Sequence, residues 1–303
     1  NFKKIGLTAL AASLVSVSAN AGEVTASASA SMNMEGHSGT GLNAATTFSM
    51  ANSVVLAGSG EMDNGMTVSV SFELDQSDTD GASSSFDSHS VKLSSDSMGT
   101  LTLAGHGGSS ATSAIDTTAA GDMWDNFDGV TYLGGLTIAD AVAANSGEDN
   151  SFLYTSPDLM DGLNFTLSYN PQTATNKGET GYGVNYSGIE GLSISYAMSD
   201  EETQAGTDTS GDNTVLKASY AYGPVTASYS EMDHDEGLST GANDIKMESF
   251  ALSYTISDEL SVTYGQETSD KGNATTDLEV EGISVSYTTG GMTISASSME
   301  LEN

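Results

Sequence analysis

From Val24 to Met34 the chain alternates without exception, with Val24, Ala26, Ala28, Ala30, Met32 and Met34 on one parity and Thr25, Ser27, Ser29, Ser31 and Asn33 on the other. Successive side chains of an extended backbone point to opposite faces, so this stretch predicts a β-strand with one apolar and one polar face. The same period returns in Met66, Val68, Val70, Phe72, Leu74, in Leu163, Phe165, Leu167, Tyr169, and in Leu192, Ile194, Tyr196, Met198. It continues through Leu216 to Tyr222, Val225 to Tyr229, Phe250 to Ile256, Leu260 to Tyr264 and Ile283 to Tyr287. No helical pattern of comparable strength occurs after residue 21.

The connections alternate between short and long. Asp63-Asn64-Gly65, Asp96-Ser97-Met98-Gly99, 187–191, Gly223-Pro224, Ser257-Asp258-Glu259 and 288–291 are built from turn formers. Between them lie long polar stretches at 35–42, 76–84, 170–180, 199–212, 233–245 and 267–276, rich in Asp, Gly, Ser and Thr. Tight turns at one end and long acidic loops at the other predict an all-β fold, a transmembrane antiparallel up-and-down β-barrel. A soluble sandwich would need larger core residues than faces dominated by Ala, Val and Met, with Tyr near strand ends. The opposite faces, mostly Ser, Thr, Asn and Gly, suit a water-filled lumen.

The N-terminus changes the picture by placing the chain outside the cytoplasm. Lys3 and Lys4 precede an apolar run from Ile5 to Val17, and Ala19-Asn20-Ala21 is an A-x-A processing signal. Residues 1–21 therefore read as a signal peptide, since the run falls short of the roughly 20 residues a spanning helix needs. Residues 22–303 form the barrel domain. Cysteine is absent from the whole chain, so disulfides play no part in holding it together. Lys and Arg total 7 against 41 acids, all seven are lysines, and the formal charge is −34, which excludes nucleic acid as a partner.

Two segments carry a resemblance to a known family. The stretch His89-Ser90-Val91-Lys92-Leu93-Ser94-Ser95-Asp96-Ser97-Met98-Gly99-Thr100-Leu101-Thr102-Leu103-Ala104-Gly105-His106 resembles the hairpin leading into the constriction loop of Gram-negative general porins. Ala104-Gly105-His106 stands where that family has Gly-Arg. The stretch from Asn150 to Tyr169, with its Asp161-Gly162-Leu163-Asn164-Phe165, is similar to the next hairpin. The resemblance implies a barrel of about 16 strands in the cell outer membrane, a homotrimer in contact with lipid and lipopolysaccharide. It also implies passive diffusion of small hydrophilic solutes and a third loop, about 107–149, folded inward to narrow the pore.

Fifteen strands are readable, five before that loop and ten after it, whereas such barrels close with an even number. Either a strand lies hidden between Val130 and Ala144 or the sequence stops one strand early; the phase of long and short connections favours the second.

Asp116, Asp122, Asp125 and Asp128 are the candidate pore-constriction residues, because carboxylates between low-dielectric walls concentrate cations and repel anions. Lys92 and Lys217 fall on the polar parity and are the candidate lumenal basic residues. With no arginine to oppose the acids, a preference for cations is expected. Trp124 is expected to pin the inward loop or sit at an interface, simple packing being the commoner role of a lone tryptophan. No metal site, cofactor or catalytic residue is expected: His37, His89, His106 and His234 form no zinc pattern, and no Gly-x-Ser-x-Gly elbow occurs. The competing reading is a secreted or surface-layer β protein with a structural or adhesive role.

Overall fold

A computed structural model describes residues 4–8, 17–19, 22–38, 46–75, 86–127, 149–171, 178–202, 211–237, 241, 244–272 and 277–302. In chain order its strands are β1 (Lys4–Thr8), β2 (Val17–Ala19), β3 (Gly22–Gly36), β4 (Thr46–Glu61), β5 (Thr67–Asp75), β6 (Ser88–Ser95) and β7 (Gly99–His106). After the long connection come β8 (Ser151–Thr155), β9 (Leu163–Asn170), β10 (Glu179–Tyr186), β11 (Leu192–Glu201) and β12 (Asp212–Tyr222). The last are β13 (Val225–Asp235), β14 (Ile245–Thr255), β15 (Leu260–Lys271), β16 (Leu278–Thr289) and β17 (Met292–Glu302). A 3-10 turn spans Trp124–Phe127.

From β3 to β17 every strand pairs antiparallel with the next, giving the expected up-and-down order. Five of these strands precede the long connection and ten come after it, the division the alternation predicts. An odd run leaves its first and last members pointing the same way, so they cannot form an antiparallel ladder with each other. β1 lies between them: Ile5 faces Ala296 of β17 on one side and Met34 of β3 on the other.

The faces are the reverse of a soluble protein's. Phe48, Met50, Phe152, Leu167, Ile194, Leu252 and Ile283 are exposed on the outside, whereas Ser168, Ser199, Ser230, Ser249 and Glu267 are buried on the inside. A water-soluble sandwich would bury the first set. Tyr169, Tyr182, Tyr229 and Tyr264 border the apolar band toward the long connections, and Tyr186, Tyr220, Tyr254 and Tyr287 border it toward the short ones. Two tyrosine girdles flanking an aliphatic band match the two interfaces of a bilayer.

Several strands run past that band into segments whose composition reads as loop. β11 continues to Glu201, β13 to Asp235 and β15 to Lys271. Outward alternation of apolar residues stops where lipid stops, but the hydrogen-bond ladder goes on into water.

Val285 faces outward between Ile283 and Tyr287, and Ser284 faces inward. Val285→Lys is expected to lower the free energy of folding into lipid vesicles by about 2–4 kcal/mol, because it sets an ammonium in hydrocarbon. Ser284→Lys is expected to cost much less, and a denaturant titration of both variants checks the difference.

Candidate functional site

The long connection leaves the wall at an irregularity. The β6–β7 register shifts between His89 and Ser90, and the His89 ring lies over Gly105, where an added Cβ would collide with the ring Nε2. A bulge of this kind bends a strand at a barrel rim and redirects the chain beyond it. The connection returns beside its exit: Asn150 N–H donates to Gly105 C=O at 3.3 Å, and His106 Nδ1 meets Asp149 Oδ1 at 2.5 Å.

Between these points the described part, 107–127, crosses the inner wall strand by strand. Ala111 N–H donates to the Ser168 hydroxyl of β9 at 2.8 Å, and Thr112 meets Ser199 of β11 at 3.5 Å. Ser230 of β13 accepts from Ala119 N–H at 3.1 Å and donates to Thr117 C=O at 2.7 Å. Ala120 N–H donates to Ser249 of β14 at 2.8 Å. Met123 N–H donates to Glu267 of β15 at 2.9 Å, and the other Glu267 oxygen accepts the Ser249 hydroxyl at 2.9 Å. On β9, β13, β14 and β15 one inward side chain thus takes up a backbone donor that the loop would otherwise bury unpaired. Gly265 makes room, since a Cβ there would lie 2.7 Å from Ala120 Cβ.

The loop has two faces. Ala111, Thr112, Ile115, Met123 and Trp124 are buried toward the wall, while Asp116, Asp122 and Asp125 are exposed. The buried face meets Val215, Met232, Met247, Leu278 and Val280, with Phe127, Met299 and Leu301 packed at the edge. These wall residues are inward positions, so the lumen beside β9–β17 is partly filled by a dry apolar cluster. The inward faces, mostly polar along the sequence, turn apolar where the loop covers them.

Lys217 of β12 donates to Asp116 Oδ2, and Asp116 Oδ1 accepts from the Thr118 N–H and hydroxyl at 2.9 and 2.7 Å. Partial burial pushes the Asp116 carboxyl upward, but the hydrogen bonds from Lys217 and Thr118 outweigh it and hold the group below its ordinary value. The stabilisation this pair gives the loop is complete above the ordinary carboxylate range and is lost as pH falls through the lowered value. Asp122 adopts φ 51°, and Asp125 opens the 3-10 turn. Asp128 lies outside the described residues. Lys92 sits on β6 opposite Ser69 and Thr102, exposed, with no ion-pair partner among the described residues. Asp116 and Lys217 are therefore brought together, and Lys92 stands apart on another strand.

Glu267 has no place among the sequence-derived candidates because it falls where composition reads as the start of a loop. Parity carried on from Ser261, Thr263 and Gly265 puts it inside, and that signal alone would have found it. Glu267→Ala leaves the Met123 N–H and the Ser249 hydroxyl without their acceptor, a loss of about 1–3 kcal/mol in loop attachment. The expected outcome is a red shift of fluorescence from Trp124, the chain's single tryptophan, together with a larger and noisier single-channel conductance; unchanged emission would contradict it.

The family model of the Gram-negative porins matches residues 6–302. No curated protein sequence matches the chain. Among solved structures, Salmonella typhi OmpF in complex with daunomycin aligns at TM-score 0.60 and 14% identity, over 95% of this chain and 100% of that one. The anion-selective porin from Comamonas acidovorans aligns at TM-score 0.57 and 15% identity, over 86% and 93%. A Rh. blastica porin mutant aligns at TM-score 0.54 and 16% identity, over 84% and 91%. At these identities the structures share the fold alone, while the family model spans nearly the whole length; the chain belongs to the Gram-negative porin family and is an outer-membrane channel protein.

Proposed function

We propose that this porin passes small hydrophilic solutes by passive diffusion, prefers cations, and performs no chemistry on the solutes it passes. The observation that carries the reading is the sidedness of the inward loop: its apolar residues face the wall and Asp116, Asp122 and Asp125 are exposed. Carboxylates at a narrowing raise the local cation concentration because the low-dielectric walls concentrate their field. Opposing positive charge is scarce, since Lys217 is engaged by Asp116 and the chain has no arginine. Fold does not decide the sign: the Comamonas acidovorans structure, described as anion-selective, has the same architecture. The lumenal charge set has to do so. The secreted structural or adhesive reading is not favoured, because the outward apolar faces would need burial in a soluble particle.

Residues 1–21 act in this proposal as the export leader, and 107–149 as the constriction loop of a barrel set in lipid and lipopolysaccharide. The working unit is a homotrimer. The outer face of β3–β5 supports this: Ala26, Ala28, Ala30, Gly58 and Gly60 make it shallow, and none of β3–β7 carries a tyrosine. A face without interfacial tyrosine suits close packing against a second copy better than contact with lipid. Ala28→Trp is expected to shift the detergent-solubilised protein from trimer to monomer in light scattering, whereas Ala227→Trp on β13 leaves it trimeric.

Planar-bilayer recording in a salt gradient tests the ion preference. The expected reversal potential is cation-selective, and Asp116→Asn, Asp122→Asn and Asp125→Asn combined should reduce the cation-to-anion permeability ratio several-fold. Lys217→Met should raise it by leaving Asp116 uncompensated. An anion-selective or unselective channel would refute the proposal.

A further inference from the structure

We infer that Gly181 and Gly265 are the wall residues that set how far the inward loop stands into the lumen, and so the size of solute that passes. This rests on the reading of 107–149 as the constriction loop and adds the residues that fix the opening. Among the described residues, four glycines of β10–β16 point inward: Gly181, Gly183, Gly265 and Gly282. A Cβ at Gly183 would first meet Thr166, Ala197 and Tyr196, and one at Gly282 would meet Ser298 and Met299, all of them wall residues. The other two glycines face the loop. A Cβ at Gly265 would lie 2.7 Å from Ala120 Cβ and 2.9 Å from Met123 Sδ, and one at Gly181 would collide with Ser168 Oγ and lie 3.1 Å from Ala111 Cβ.

The two seats share one construction. Ala111 gives its N–H to Ser168 of β9 and its methyl to the recess at Gly181 on the neighbouring β10, and Gly181 and Ser168 are register partners. Ala120 gives its N–H to Ser249 of β14 and its methyl to the recess at Gly265 on the neighbouring β15. In each, a hydroxyl on one strand takes the alanine's amide, and the missing side chain on the next strand admits its methyl. Both hydrogen bonds are 2.8 Å long, and such a length is kept only while the alanine sits directly on the wall.

The recesses decide the aperture because the seats lie on either side of Asp116 and shortly before Asp122. Carbon atoms rest about 3.5–4.0 Å apart, so a methyl on Gly265 lifts Ala120 from β15 by roughly 1 Å. Met123 Sδ, near the end of a flexible side chain, swings aside more easily. β15 is tied by ladders to β14 and β16, so the displacement falls on the loop, and the free direction is into the lumen. The charge of the loop is unchanged by such a shift, and the opening is narrowed.

Uptake of neutral sugars into proteoliposomes made with the full-length protein tests this, since uncharged solutes report the opening and not its field. The ratio of trisaccharide to monosaccharide uptake is expected to fall several-fold in Gly181→Ala and in Gly265→Ala. It should keep the wild-type value in Gly183→Ala, which adds the same methyl against the wall alone. Ala120→Gly, which withdraws the opposing methyl, is expected to restore the ratio in the Gly265→Ala background, a rescue that a general loss of stability would not give. An unchanged or increased ratio in either loop-facing variant, an equal fall in Gly183→Ala, or no rescue by Ala120→Gly overturns the inference. Should Gly265→Ala fail to fold, the double variant is expected to fold, and its failure counts equally against the inference. Wild-type vesicles that admit no sugar would refute the passive-diffusion reading and this inference with it, whereas uptake with an unmoved size ratio refutes this inference alone.

Discussion

Everything in this molecule answers to the cost of an unpaired backbone amide or carbonyl in hydrocarbon, several kcal/mol for each group. Strands satisfy these groups only through their neighbours, so the sheet has to continue round to its beginning. Once the ring exists, each strand shows one face to lipid and the other to the interior, and the alternation of Val24 to Met34 is the chemical record of that requirement. Cysteine is not needed for such a framework, because the restraint comes from the ladder itself. The exposed Phe48, Met50 and Leu252, anomalous in a soluble domain, are where a lipid-facing wall needs them.

The same rule governs the inward loop. A chain segment pressed against the inner wall buries its own N–H groups, and the wall supplies Ser168, Ser230, Ser249 and Glu267 to accept them. These hydroxyls read in the sequence as ordinary lumen-facing serines, yet their work is to fix the loop's height and path. Its apolar residues then have only one direction to turn, and Asp116, Asp122 and Asp125 come to lie on the exposed face. The exposure of these carboxylates is in this sense a by-product of hydrogen-bond satisfaction on the loop's other side.

Much of the fold is legible in the sequence, for a physical reason. Period two is imposed on every strand by lipid, so the strands, their number on each side of the loop and the inward parity of Lys217 can be read from apolar spacing alone. A pattern that depends on lipid contact ends with the lipid, and for that reason Glu267, Glu201 and Asp235 read as loop although they are strand. The apolar inward residues Met232, Met247 and Val280 are equally opaque, since their burial is caused by a segment more than 100 positions away. The pairing of Asp116 with Lys217 is of the same kind. Parity puts the lysine inside, but only the loop's path decides which carboxylate meets it.

The central claim is that greasy and hydroxyl-bearing faces divide lipid from water along every strand. Single cysteines placed in turn through β15 and β16 of the cysteine-free chain, reconstituted in vesicles and exposed to a charged thiol reagent, read this directly. Labelling should alternate, strong at Ser261, Thr263, Ser284 and Ser286 and weak at Val262, Tyr264, Ile283 and Val285. Uniform labelling, or protection of both parities, would mean that the strands do not separate the two media and that the barrel as described is wrong.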